Sequence, residues 1–176
     1  DGEVLTSTGA GSPPAFEEIS GGGFTAGTAT ATTSGTSHVF GSIPAGTKLI
    51  IFSFEEVSLS TNNTVQIRLG DAGGIETGGY ISTSGRVQSS PTVASATNGF
   101  SMHVNNSAFE FSGNATISLL DAATFTWSLS FSGKSDTTMA PTGGGRKSLS
   151  AELTQVSVTC DGGAFDLGKA NIMYSS

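Results

Sequence analysis

Thr124-Phe125-Thr126-Trp127-Ser128-Leu129-Ser130-Phe131-Ser132 is the stretch on which the fold reading turns. Phe125, Trp127, Leu129 and Phe131 fall at every second position, with Thr126, Ser128 and Ser130 between them. Side chains alternate across a strand, so one face of this segment meets a core and the other meets water or a polar interface. Lys48 to Phe54 reads differently. Ile50, Phe52 and Phe54 share one face while Leu49 and Ile51 take the other. Apolar residues on both faces predict a central strand covered twice, the second time by a loop of the same chain or by another subunit.

Working outward, short runs of β-branched and aromatic residues predict strands near 36–41, 48–59, 64–70, 79–83, 99–104, 108–112, 115–120, 124–132, 148–159 and 170–174. Pro44-Ala45-Gly46, Thr61-Asn62-Asn63, Asp71-Ala72-Gly73-Gly74 and Asp161-Gly162-Gly163 mark tight connections between them. No apolar stripe at i, i+3, i+4, i+7 persists over a helix length, which disfavours βαβ units. The expected fold is all-β: an antiparallel β-sandwich, jelly-roll-like, spanning residues 36–176. Residues 1–35 carry Gly/Ser/Thr/Ala stretches with Val4, Leu5, Phe16, Ile19 and Phe24 as their few anchors. They read as an extended N-terminal arm or linker. Ordering backbone costs ~1–2 kcal/mol per residue, so the arm needs support from outside its own sequence, and neighbouring copies of the chain are the expected source.

Composition narrows the function classes. Net charge is −7, and the seven basic residues are dispersed, with only Arg146 and Lys147 adjacent. Phosphate neutralisation needs clustered cations, so nucleic acid is not an expected partner. The longest apolar run, Leu49 to Phe52, is far too short to cross a bilayer as a helix, and no membrane insertion is expected. The chain starts with Asp1, which leaves a native, processed or truncated start open.

The residues that could carry chemistry are scattered. His38 and His103 sit beside apolar neighbours with no Cys, His or acid at metal-ligand spacing, and no H-E-x-x-H, C-x-x-C or G-x-S-x-G occurs. Cys160 shares a face with Val156 and Val158 and reads as a buried thiol. Glu17-Glu18 and Glu55-Glu56 are sequence neighbours that a strand would throw to opposite faces, which suits paired-acid hydrolysis poorly. Asp71 to Glu76 could offer oxygens to calcium but lacks dense alternating acids, so a glycine-bearing turn is expected. Thr142-Gly143-Gly144-Gly145-Arg146-Lys147 lacks phosphate-loop spacing and precedes no helix, and a flexible hairpin with two exposed cations is expected there. Asn62, Asn105 and Asn114 head Asn-x-Ser/Thr triplets, which matter only in a secreted eukaryotic protein. No catalytic, cofactor-binding or metal residue is nominated, and no enzyme activity is expected.

Four segments carry a resemblance. Gly2-Glu3-Val4-Leu5-Thr6-Ser7-Thr8-Gly9-Ala10-Gly11-Ser12-Pro13-Pro14-Ala15-Phe16 resembles a short segment common in bacteriophage fibre and virion-surface proteins. Arg68 to Tyr80 looks like an L-G-D-x-G-G-I-E-x-x-G-Y stretch of phage virion proteins. Phe165 to Tyr174 looks like their F-D-x-G-x-x-N-I-x-Y ending, and Gly143 to Ser150 extends the likeness. The resemblance implies a bacteriophage virion structural protein, most simply a tail or head fibre domain that contacts the host surface. It further implies assembly with itself as a homotrimer, attachment to other virion proteins through the N-terminal arm, and a host-surface glycan or protein as outer partner. The implied location is the virion surface. Receptor-binding residues do not occupy fixed positions in such proteins, so none is assigned. A capsid decoration protein would share the same body. A free carbohydrate-binding module would instead need a row of exposed aromatics, yet Trp127 lies on the expected core face and leaves Tyr80 and Tyr174 as ring platforms.

Overall fold

Trp127, Leu129 and Phe131 all point into a core, each less than 5% exposed, while Ser130 and Ser132 between and beyond them face outward. The computed structural model that places them describes residues 3–6, 13, 15–18, 23–102, 106–135 and 139–175. Among these residues every regular element is a strand: β1 (Glu3–Thr6), β2 (Ala15–Glu18), β3 (Thr25–Ala26), β4 (Thr30–Ala31), β5 (Ser37–Phe40), β6 (Leu49–Leu59), β7 (Val65–Asp71) and β8 (Gly74–Ile75). Then follow β9 (Ile81–Val87), β10 (Thr92–Ala96), β11 (Phe100–Ser101), β12 (Phe111–Asp121), β13 (Thr126–Ser135), β14 (Ala140–Ser148), β15 (Gln155–Cys160) and β16 (Phe165–Ser175).

Two antiparallel sheets form the sandwich. The larger runs β10-β9-β14-β13-β12-β6-β16-β3, with β4 also on β16; the smaller runs β11-β7-β15-β5, with β8 on β7. From β5 to β16 the chain swaps repeatedly between the sheets, which makes the topology jelly-roll-like. β1 and β2 pair separately as a two-stranded sheet. Ile50, Phe52, Ile117, Leu129 and Ile172 from the larger sheet meet Val65, Ile67, Leu69, Val156 and Val158 from the smaller in one buried cluster. Phe40 bridges the sheets edge-on to Phe52 at 5.0 Å, and Phe52 stacks on Phe54 at 4.6 Å. Each such side chain contributes ~1.5–3 kcal/mol on full burial.

Several local expectations are corrected. Phe125 is not in the strand: it sits in the β12–β13 turn with φ 49°, half-buried, and the alternation starts one residue later. The expected strands 108–112 and 115–120 are one strand, β12, which starts only at Phe111, so residues 108–110 stay outside it. The expected strand 148–159 is two strands in different sheets, because Leu149 and Leu153 sink into the core between β14 and β15 and turn the chain across. Gly143-Gly144-Gly145 is the middle of β14 and no flexible hairpin. In register, Gly143 faces Phe131 and Gly145 faces Leu129, and a Cβ on Gly143 would come within 2.7 Å of the Phe131 ring. The missing side chains make room for their neighbours.

Residues 23–34 make hydrogen bonds within their own chain. Thr32 is fully buried and its Oγ1 donates to the Leu167 carbonyl at 2.8 Å, while the Gly27 N–H donates to Ile172 O at 2.8 Å. β6 is central, between β12 and β16, and Leu49 and Ile51 lie half-buried on its outer face. A bulge at Glu56, φ 54°, lets both Phe54 and Val57 face the core and leaves Glu55 and Glu56 both exposed, contrary to the expected split.

Candidate functional site

The segments 68–80 and 143–150 meet in space. β7 ends in a tight turn into β8, where Asp71 Oδ1 accepts the Gly73 N–H at 2.7 Å. The same carboxylate takes the Ser150 hydroxyl on Oδ2 at 2.5 Å, and the Asp71 carbonyl takes Gln155 Nε2 at 2.8 Å. Glu76 Oε1 accepts the Ser150 N–H at 2.8 Å, and its carboxylate pairs with the Lys147 ammonium. That ammonium lies 5.4 Å from the centroid of the Tyr80 ring, and the Tyr80 hydroxyl accepts the Leu69 N–H at 2.8 Å and donates to the Glu76 carbonyl at 3.0 Å. The ring also meets Phe100 edge-on at 5.1 Å.

Electrostatics follow from these contacts. The Ser150 hydroxyl, helped by the Gly73 N–H, holds the Asp71 carboxyl below its ordinary value. Burial alone would raise Glu76, but Lys147 and the Ser150 N–H outweigh it and bring the carboxyl down. Burial pushes the Tyr80 hydroxyl up to about 12. These polar groups are engaged by protein partners, so the chemistry of the cluster is that of a clamp joining the 68–80 segment to the 143–150 segment.

Of the candidates read from the sequence, Asp71, Glu76, Tyr80 and Lys147 meet in this cluster, and the others fall elsewhere. Lys147 is buried and not an exposed cation as expected; Arg146 is exposed. Lys147 is in phase with Leu149, and that parity was the signal for its burial. Tyr80 is 1% exposed and offers no ring platform, while Tyr174 is half-buried. His38 packs on Phe165 at 5.3 Å, with Nε2 donating to the Ser34 carbonyl at 3.0 Å. His103 and Asn105 lie outside the described residues. Cys160 is buried, its Sγ 3.6 Å from the Thr36 and Gly163 carbonyls, and burial raises its thiol. Glu55 pairs with Lys169 at 2.9 Å on the surface. Asn62 Oδ1 accepts the Ser107 N–H at 2.9 Å, and Asn114 projects from β12. Asp71 to Gly74 forms a turn, and no group of three or more His, Cys, Asp or Glu among the described residues could hold a metal.

The described residues also line a polar groove and an apolar pocket. A groove of about 460 Å³ is lined by hydroxyl and amide groups of Thr64, Gln66, Ser95, Thr97 and Asn98 and by the Asp161 carboxylate. Gln66 is buried and held by its own contacts: Nε2 donates to Asn98 Oδ1 and Oε1 accepts from Arg68, both at 3.0 Å. A smaller, mostly apolar pocket of about 150 Å³ lies by Leu119, Phe125, Trp127 and Leu153. The Trp127 Nε1–H beside it is buried and has no partner among the described residues.

No family model matches the chain, and no curated protein or solved structure gives a significant match to it.

What the groove can do follows from its lining. Among the described residues, donors and acceptors of neutral groups predominate there, with one carboxylate and no cation, which suits a neutral, hydroxyl-rich ligand over an anion.

Proposed function

We propose that this chain is a bacteriophage virion structural protein, a tail or head fibre domain at the particle surface, assembled as a homotrimer and carrying no catalytic role. The observation behind this reading is the clamp. The segments 68–80 and 143–150, which look like stretches of phage virion proteins, are the two sides of one interlocked polar cluster on a rigid sandwich. Their shared residues thus serve shape and stability, as building material requires. Loops on such a scaffold are free to vary and to touch other molecules, and the groove beside Asn98 and Asp161 offers neutral polar contacts suited to a host-surface glycan.

The test is localisation. Mass spectrometry of purified particles should detect the chain, and electron microscopy should place it in a fibre that projects from tail or head. A position spread over capsid subunits would make it a decoration protein instead. Its absence from particles would end the virion reading.

A further inference from the structure

Asn98-Gly99 is the one asparagine–glycine pair in the sequence, and it lies in the bend between β10 and β11, in the wall of the polar groove. An asparagine side-chain carbon can be attacked by the backbone nitrogen of the next residue, closing a five-membered ring. Glycine at that next position favours the attack, because it has no Cβ to crowd the ring and the freest backbone.

The side chains around the pair are set for this step. Arg68 has only donors to offer. Its Nε donates to the Asn98 carbonyl at 2.7 Å, and a terminal guanidinium nitrogen donates to Gln66 Oε1 at 3.0 Å. That contact turns Gln66 Nε2 toward Asn98, where it donates to Oδ1 at 3.0 Å. Gln66 is 3% exposed, so this donor is fixed in place. Attack on Cγ puts negative charge on Oδ1, and a fixed donor aimed at that oxygen stabilises it. The Gly99 N–H makes no hydrogen bond among the described residues, so none has to break before the nitrogen reacts. Asn98 itself is exposed, which lets its amide nitrogen leave into water. Gly99 also has a packing reason to be glycine, since a Cβ there would come within 2.9 Å of Gln66 Oε1. The same closeness keeps Gln66 against the reacting pair.

We propose that Asn98 is a site of self-modification in the folded protein: Gly99 supplies the nucleophile, and Gln66, oriented by Arg68, is the positioning residue. The Gly99 nitrogen gives its proton to solvent hydroxide and bonds to Cγ. The Cγ–Nδ2 bond breaks, and ammonia leaves with a proton from water. A further water then opens the succinimide at either carbonyl and leaves aspartate or isoaspartate at position 98. One water enters, one ammonia departs, and nothing is oxidised or reduced. The product puts a second carboxylate in the groove that Asp161 lines. Its isoaspartate form also lengthens the backbone by one carbon just before Phe100, which pairs with Ile67. The proposal is independent of the virion reading.

The test incubates native and guanidinium-unfolded protein side by side at mildly alkaline pH, for the wild type, Asn98→Ala and Gln66→Leu, with circular dichroism to confirm folding. Isoelectric focusing follows the charge, and mass spectrometry of the peptide holding residues 98–99 locates the product. Native wild type should become more acidic by one charge, with both aspartate and isoaspartate at position 98, and Asn98→Ala should not. Native Gln66→Leu should convert at least roughly tenfold more slowly than native wild type, whereas the two should convert alike when unfolded. If Gln66→Leu does not fold, Arg68→Met decides, with slower native conversion expected there too. An Asn98 that stays intact in the native wild type and converts only when unfolded overturns the proposal, as does the same acidic shift in Asn98→Ala. Equal native rates with and without the Gln66 amide overturn the role of Gln66.

Discussion

Lys147 and Glu76 form an ion pair in the wall of the sandwich, with the ammonium 5.4 Å from the centroid of the Tyr80 ring. The Lys147 side chain is 6% exposed and that of Glu76 24%. Removing one partner strands the other, and the deeper charge suffers more. Glu76→Gln is expected to cost about 3 kcal/mol and Lys147→Met about 1–2 kcal/mol, because the carboxylate left behind still reaches water and the Ser150 N–H. The double variant should recover at least ~1 kcal/mol of the summed loss. Urea unfolding of the four proteins measures this, and strict additivity would mean that the pair does not couple.

Tyr80 gives the chain an alkaline limit. Its hydroxyl is held protonated up to about 12 by burial, against an ordinary value of 10.0. Between those pH values the unfolded chain has lost the proton and the folded chain has kept it. Stability is therefore fully present below pH 10 and falls as pH rises through the window, by about 2–3 kcal/mol in all. Tyr80→Phe should flatten that limb, while losing about 1–3 kcal/mol at neutral pH because the Leu69 N–H is left without its acceptor. An alkaline limb of equal slope in both proteins would contradict the assignment.

The acid side has the opposite sign. Asp71 and Glu76 are both held below their ordinary values of 3.8 and 4.5, so the stability they supply is present above those values and lost as pH falls through the lower folded ones. Ser150→Ala removes the hydroxyl that contributes most to lowering Asp71. Its carboxyl resonance should then titrate at higher pH than in the wild type, and an unchanged titration would show that the hydroxyl is not the cause.

How much of this was legible depended on whether the relevant partner was near in sequence. Trp127, Leu129 and Phe131 could be placed because period-two alternation reports two different environments without naming them. Phe125 extended the same alternation yet left it, because the turn from Asp121 to Thr126 takes its backbone into the left-handed region. Gly143 to Gly145 read as loop because glycine is costly to order in a strand, and only the ladder reveals that the Phe131 ring and the β9 backbone at Ile81 to Ser84 occupy the space. The groove was invisible for a similar reason. Thr64, Asn98 and Asp161 come together only when β7, β10 and β15 have paired with their distant partners.

The close approach around β14 predicts how substitutions there behave. A Cβ on Gly143 would come within 2.7 Å of both the Phe131 ring and the Ser84 Cα, so Gly143→Ala forces the ladder to shift. At Gly168, φ +92° adds backbone strain to contacts with Glu55 and Glu56. Each alanine should cost about 2–4 kcal/mol. Gly41→Ala, with nothing within 4 Å, should change stability by less than ~0.5 kcal/mol. Equal effects at all three positions would show that backbone entropy, not crowding, sets the cost.

Cys160 reports on the integrity of the smaller sheet. It ends β15, pairs with Val65 at the start of β7, and its Sγ is enclosed by the Thr36 and Gly163 carbonyls. Burial raises the thiol, so both access and thiolate fraction are low in the native state. Labelling by a thiol-reactive disulfide should therefore be slow in buffer and complete once urea unfolds the chain. Its rate should rise with urea in step with the loss of β signal, because the sulfur is reached when the sheet opens. Fast labelling in buffer, with circular dichroism unchanged, would mean that the Thr36–Cys160 edge opens by itself, and that residues 23–36 fasten to the sandwich through β16 without securing β15.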